Sequence, residues 1–175
     1  MEKNELNLTK YIRNIPDWPQ KGILFRDITP LLADGRVFAN AVKAISDRFR
    51  NEKIDYIAAV EARGFIFGAA VAANLGAGFV PIRKKGKLPY KTESVTYDLE
   101  YGTDTLEVHI DAVKKGSKVL MVDDLLATGG TMAAACRLIE KIGGKVQAIA
   151  FLIELKDLDG RKKIEGYNVS VEIQF

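Results

Sequence analysis

The chain has 175 residues, is 47% hydrophobic and 28% charged, and sets 26 Lys+Arg against 23 Asp+Glu for a net charge of +3. That length suits one domain burying about 70% of its unfolded surface, with no need of disulfides or a structural metal. The composition excludes a disordered, collagenous or disulfide-built chain, and the small net charge argues against wholesale nucleic-acid binding.

From the N-terminus, Met1–Glu5 carries acids and no apolar run of the secretory kind. Leu6 to Ile15 reads as a short helix stopped by Pro16, followed by a turn at Pro19-Gln20-Lys21-Gly22 and the segment Ile23 to Ile28. Phe38, Ala41, Val42, Ile45 and Phe49 recur at helical spacing and predict an amphipathic helix ending near Asn51. Ile54 to Val60 has the length and apolarity of a buried strand. The next uncharged stretch, Gly64 to Ile82, is 19 residues long, near the length of a membrane span. Its glycines, Asn74 and Pro81 instead favour a buried helix ending at Leu75, a Gly76 cap and a short strand through Phe79, Val80 and Ile82.

Arg83 to Glu93 is polar and basic, and reads as a mobile loop. Val95, Tyr97, Leu99 and Tyr101 then alternate with polar residues, Gly102-Thr103-Asp104 turns the chain, and Leu106, Val108 and Ile110 alternate again, predicting an antiparallel hairpin. Val119 to Val122 and Val146 to Ile153 are two further buried strands, with a helix over about Gly130 to Ile142 between them. Strands alternating with helices predict an α/β fold, a central mostly parallel sheet flanked by helices. Ligands of such sheets bind beyond the carboxyl ends of the strands, which puts the loops after Val60 and Val122 on one rim.

The second of those loops carries the strongest chemical signal. Asp123 and Asp124 place two carboxylates at the strand end, where sugar hydroxyls or a cation would offset their repulsion. Thr128-Gly129-Gly130-Thr131 then opens a helix, offering backbone N–H groups, two hydroxyls and the positive helix end to a phosphate. No strand is followed by Gly-x-Gly-x-x-Gly and no Gly-Lys-Ser/Thr occurs, which excludes the dinucleotide and P-loop fingerprints. The remaining reading is a ribose 5-phosphate site. His109 has no Cys/His cluster around it, so no protein metal site is expected. Cys136, the single cysteine, lies in a helical run and suits a reducing, cytoplasmic setting.

Ordered motifs across nearly the whole chain resemble the adenine-specific members of the type I phosphoribosyltransferases: Phe25-Arg26-Asp27-Ile28, Glu61-Ala62-Arg63-Gly64-Phe65, Ile82 to Pro89, Leu99-Glu100-Tyr101-Gly102, the Asp-Asp segment and Ile153-Glu154-Leu155. The resemblance implies a single domain over 1–175, with a small hood from about 1–30 plus the C-terminal segment and a flexible loop over about 84–98. It implies condensation of adenine with phosphoribosyl pyrophosphate to AMP and pyrophosphate, in purine salvage. Asp123 and Asp124 would bind the ribose hydroxyls, and Ala127, Thr128, Gly129, Gly130 and Thr131 the 5′-phosphate. Arg63 matches the pyrophosphate-loop arginine, in a loop that commonly holds a non-proline cis peptide. Arg83, Lys84 and Lys87 would be further pyrophosphate contacts. Phe25 and Leu155 would cover the two faces of adenine, backbone around Leu24 and Arg26 would read its edge, and Tyr101 would also contact substrate.

Ala127 discriminates the base, because the 6-oxopurine enzymes usually carry an acidic residue there. Glu100 matches the acid/base residue of the adenine enzymes. The same resemblance implies Mg²⁺ held through substrate pyrophosphate and ribose oxygens, and a homodimer that binds neither nucleic acid nor membrane. Transfer to another nucleobase, or non-catalytic sensing of phosphoribosyl pyrophosphate, are the alternatives.

Overall fold

The apolar run Tyr56–Val60 forms a strand whose Ile57, Ala58 and Ala59 are fully buried, and the rest of the chain is arranged around it. The computed structural model describes residues 6–98 and 102–175. In chain order the strands are β1 (Arg13–Pro16), β2 (Leu24–Asp27), β3 (Tyr56–Val60), β4 (Gly78–Lys84), β5 (Thr92–Asp98), β6 (Thr103–His109), β7 (Lys118–Leu126), β8 (Lys145–Glu154) and β9 (Val169–Gln174). The helices are α1 (Thr29–Ala33), α2 (Gly35–Phe49), α3 (Arg63–Leu75) and α4 (Gly130–Lys141), with 3-10 turns at Leu8–Tyr11, Lys156–Leu158 and Gly160–Ile164.

Strands β3 to β9 form one seven-stranded sheet in the order β5-β6-β4-β3-β7-β8-β9. Its centre is parallel (β4 with β3, β3 with β7, β7 with β8, β8 with β9), and the β5–β6 hairpin joins β4 antiparallel. The pleat of β7 divides the core between the two faces. Val119 and Met121 point to the side of α4, with Cys136, Leu138, Ile149 and Phe151. Leu120 and Val122 point to the side of α2 and α3, with Val37, Ala41, Ile45 and Phe67. Each such fully buried large side chain contributes about 1.5–3 kcal/mol over its exposed state.

The helix expected from Phe38 to about Asn51 runs from Gly35 to Phe49, started by Asp34, whose carboxylate accepts from Arg36 N at 3.0 Å and Val37 N at 3.1 Å. Helix α3 ends at Leu75 with Gly76 in the left-handed region (φ 68°), as the sequence predicts. Three expectations differ. Leu6 to Ile15 forms only the 3-10 turn Leu8–Tyr11 before turning extended into β1, because residues 13–16 pair antiparallel with β2. Strand β5 begins at Thr92, inside the expected loop and three residues before the alternation from Val95 that predicts the hairpin, and it is paired along its length with β6. Strand β7 runs on to Leu126, so Asp123 and Asp124 belong to the strand itself.

Candidate active site

Strands β3 and β7 are adjacent and parallel, with Ala59 opposite Val122, so their carboxyl ends open on the same rim. A cavity of about 250 Å³ lies there, lined by Val60 to Arg63, Asp123 to Met132 and Phe151. At the end of β3 the Glu61–Ala62 peptide is cis, and α3 begins at Arg63. At the end of β7, Ala127 and Thr128 lead to Gly129 (φ 80°), which precedes the first residue of α4.

Two glycine contacts fix this geometry. A Cβ at Gly129 would lie 2.2 Å from the Gly160 carbonyl oxygen, and one at Gly160 would lie 2.1 Å from the Ala127 carbonyl oxygen. The loop and the Gly160–Ile164 turn therefore touch backbone to backbone, an approach open only to glycine. On the other wall, a Cβ at Gly64 would lie 2.6 Å from Asp123 Oδ1, so the first turn of α3 rests directly on that carboxylate.

The electrostatics centre on the aspartates. Burial, and then the neighbouring Asp124 charge, push the Asp123 carboxyl well above its ordinary value. Burial likewise raises Asp124, against the lowering influence of Arg63. Asp123 Oδ1 accepts from Asp124 N at 2.9 Å. Arg63 Nε lies 2.9 Å from Asp124 Oδ2, yet that oxygen receives no well-directed hydrogen bond. The contact is an attraction of charges rather than an aligned bond, and it leaves acceptor capacity facing the cavity.

From Arg63 the contacts run to β2 and the turn before it. Its guanidinium carbon stands 5.3 Å from the centre of the Phe25 ring, and Trp18 meets the same ring edge-on at 4.4 Å. Arg26 stacks over Phe175, 3.8 Å from the ring centre. Leu155 follows β8 and donates its N–H to the Leu126 carbonyl at 2.9 Å, while Glu154 just before it takes a bidentate pair from Arg161 at 2.6 and 2.9 Å.

The basic segment is engaged with itself. Arg83 bonds Glu61 Oε2 at 3.0 Å and the Lys87 carbonyl at 3.2 Å. Glu61 Oε1 accepts from Lys84 N at 2.7 Å, and these bonds hold the Glu61 carboxyl below its ordinary value against the effect of burial. Lys84 pairs with Asp104 at 3.1 Å, which raises the ammonium pKa.

Comparison with known proteins shows the family of the chain. A family model described as a phosphoribosyl transferase domain matches residues 28–174. An adenine phosphoribosyltransferase of Thermotoga neapolitana is 55% identical over 170 residues, 97% of this chain and 100% of that protein. The chain belongs to the phosphoribosyltransferase family, in its adenine phosphoribosyltransferase branch. The crystal structure of the adenine phosphoribosyltransferase from Thermoanaerobacter pseudethanolicus superimposes with a TM-score of 0.93 at 54% identity, covering 96% of this chain and 98% of that one. The Saccharomyces cerevisiae enzyme, solved with an imino-altritol bisphosphate and adenine, gives 0.88 at 40% identity over 93% of this chain and 94% of that one.

Within this family member, the cavity gathers eight of the residues singled out from the sequence: Arg63, Asp123, Asp124, Ala127, Thr128, Gly129, Gly130 and Thr131. Phe25, Arg26, Arg83, Lys84, Lys87 and Leu155 stand outside its lining, in the contacts just described. Glu100 and Tyr101 lie outside the described residues. Sequence reasoning passed over Tyr97, whose hydroxyl sits 3.2 Å from Thr131 Oγ1, and the Gly160–Ile164 turn behind the loop. Tyr97 was legible only as one apolar residue of an alternating strand, and Gly160 only as a glycine near charges.

Proposed function

We infer that this rim transfers a 5-phosphoribosyl group from phosphoribosyl pyrophosphate to N9 of adenine, giving AMP and pyrophosphate. The observation that carries the reading is the meeting, in one cavity, of a paired-carboxylate strand end and a glycine loop that opens a helix. The 5′-phosphate accepts from the backbone and hydroxyls of Ala127 to Thr131, while Asp123 and Asp124 accept from the ribose hydroxyls. Arg63 leaves Asp124 as substrate enters and, with Arg83 and Lys87, stabilises charge developing on the departing pyrophosphate. Lys84 adds positive potential beside them. Phe25 and Leu155 hold the adenine ring, with backbone near Arg26 at its edge. Glu100 takes up the purine proton as N9 bonds to the anomeric carbon, and Tyr101 beside it contacts substrate. Closure of the segment over about 84–98 keeps water from the oxocarbenium-like transition state.

Two carboxylates, one with an oxygen short of a directed hydrogen bond, fit a hard cation that takes most of its ligands from substrate and water. Among the described residues there is no group of three or more His, Cys, Asp or Glu to hold a metal outright. When bound, Mg²⁺ lowers the charge on the pyrophosphate leaving group. The reading extends to a cytoplasmic homodimer serving purine salvage. Support comes from the buried lone thiol of Cys136 and from large apolar side chains left exposed at Trp18, Tyr90 and Ile110. No helix among the described residues is long and apolar enough to cross a membrane.

A panel of nucleobases turned over with phosphoribosyl pyrophosphate and Mg²⁺ tests the reading. Adenine is expected to be used in strong preference. Turnover of a 6-oxopurine instead would reassign the base, and tight binding of phosphoribosyl pyrophosphate without turnover of any base would make the chain a sensor.

A further inference from the structure

The loop that opens α4 presents the 5′-phosphate with N–H groups and hydroxyls but with no charged side chain of its own, since residues 127–131 are Ala, Thr, Gly, Gly and Thr. A phosphate monoester carries nearly two negative charges at neutral pH. Arg63, the cation of the cavity lining, is paired with Asp124. A further cation stands close to the loop on another part of the chain. The backbone contact of Gly160 with Ala127 and Gly129 holds the Gly160–Ile164 turn against the loop, and buried Ile164 anchors the turn's end in the core. Between these two fixed points stands Lys163. Its Nζ lies 3.7 Å from where a Cβ would be placed on Gly130, the first residue of α4.

The neighbours of Lys163 are neutralised: Arg161 by Glu154, and Lys162 by Asp159. Among the described residues no carboxylate lies within salt-bridge distance of Lys163. Its exposed, flexible stem could carry the ammonium into open solvent, yet the charge sits beside the positive end of a helix, where a cation is repelled. An anion shared by the ammonium and the helix end turns that repulsion into two attractions.

We propose that Lys163 is a phosphate-binding residue of this site, an ammonium reaching from the turn after β8 to the rim of the α4 loop to neutralise the 5′-phosphate of substrate and product. The proposal rests on the phosphoribosyl reading of the cavity and adds to it a residue from a separate segment of the chain. It assigns the Gly160–Ile164 turn a binding role alongside its packing role.

The test compares the full-length wild type with Lys163→Met and Lys163→Arg, titrating each with AMP and with adenosine by calorimetry. A hydrogen bond to a charged group is worth roughly tenfold to a hundredfold in affinity. Lys163→Met is expected to weaken AMP by about that factor, leave adenosine unchanged and flatten the salt dependence of AMP binding, with Lys163→Arg recovering most of the loss. Circular-dichroism melting of each variant accompanies the titrations. An unchanged AMP affinity in Lys163→Met would overturn the assignment, as would an equal loss for AMP and adenosine, which marks a packing role. Failure of the wild type itself to bind AMP would instead sink the phosphoribosyl reading, and this proposal with it.

Discussion

The two halves of the rim are built by different means. Around β7 and α4 the geometry is set by backbone: a strand, a positive-φ glycine and a glycine-to-glycine contact leave little freedom to adjust. Around β4 to β6 it is set by side chains, which satisfy one another through the Glu61–Arg83 and Lys84–Asp104 pairs. A backbone-built cradle is ready before ligand arrives and loses little entropy on binding. Side-chain pairs at a half-exposed surface are worth at most about 1 kcal/mol and exchange readily for a phosphate ligand. The contrast matches the division of labour proposed above, in which the first region holds the sugar phosphate throughout and the second engages the group that leaves.

The sharpest test of that division is Glu100→Ala. Steady-state turnover with adenine should fall by about 10²–10⁴-fold while equilibrium binding of phosphoribosyl pyrophosphate stays near wild type. Loss of binding instead would give Glu100 a share in holding phosphoribosyl pyrophosphate.

Next comes Gly129→Ala, which adds a methyl 2.2 Å from the Gly160 carbonyl oxygen at a residue with φ 80°. Melting should show a loss of about 3 kcal/mol, and AMP affinity should drop by at least tenfold because the loop must shift. A variant that melts like wild type would show the cradle to be compliant.

Asp123→Asn separates binding from stability. The folded-state pKa of Asp123 is raised, so the native state holds the proton more tightly than the unfolded chain. That contribution is fully present below the ordinary value of 3.8 and is lost as pH rises through the raised one, so the buried carboxyl costs stability at neutral pH. The variant is therefore expected to melt a few degrees higher than wild type at pH 7 without ligand, with the gain vanishing near pH 4, while its KM for phosphoribosyl pyrophosphate rises about tenfold. A lower melting temperature at pH 7 would refute the strain assigned to the acidic pair.

The smallest effect is expected at Asp104→Asn, which frees Lys84. Stability should change by less than about 1 kcal/mol, and KM for phosphoribosyl pyrophosphate should fall slightly as the ammonium loses its competing partner. A rise in KM would mean that the pair positions Lys84 rather than restrains it.

How much was legible from the residues differs by element in the same way. The helical spacing from Phe38 to Phe49 and the glycine stop after Leu75 are local signals, and both helices formed where those signals lie. The strand Val169–Gln174 escaped notice although Val169, Val171 and Ile173 alternate, because its hydrogen bonds are to β8, which lies 15 or more residues earlier in the chain. The alternation from Val95 predicts the β5–β6 hairpin, and pairing with β6 extends the strand back over Thr92 and Glu93, whose polar composition suggests a loop. The extension of β7 through the aspartates follows from β8, whose Phe151, Ile153 and Glu154 continue the ladder past Val122.

By itself the sequence determined the buried strands β3, β4, β7 and β8 with their alternating helices, the acidic pair, the glycine loop and the family, because each is written in neighbouring residues and local conformational preference. Only the tertiary structure decided that Arg63 faces Asp124, that Tyr97 meets Thr131, and that a turn some thirty residues after the loop presses Gly160 and Lys163 against it. Those contacts join segments distant in the chain, and their geometry follows from how the strands are ordered in the sheet, which no local pattern encodes.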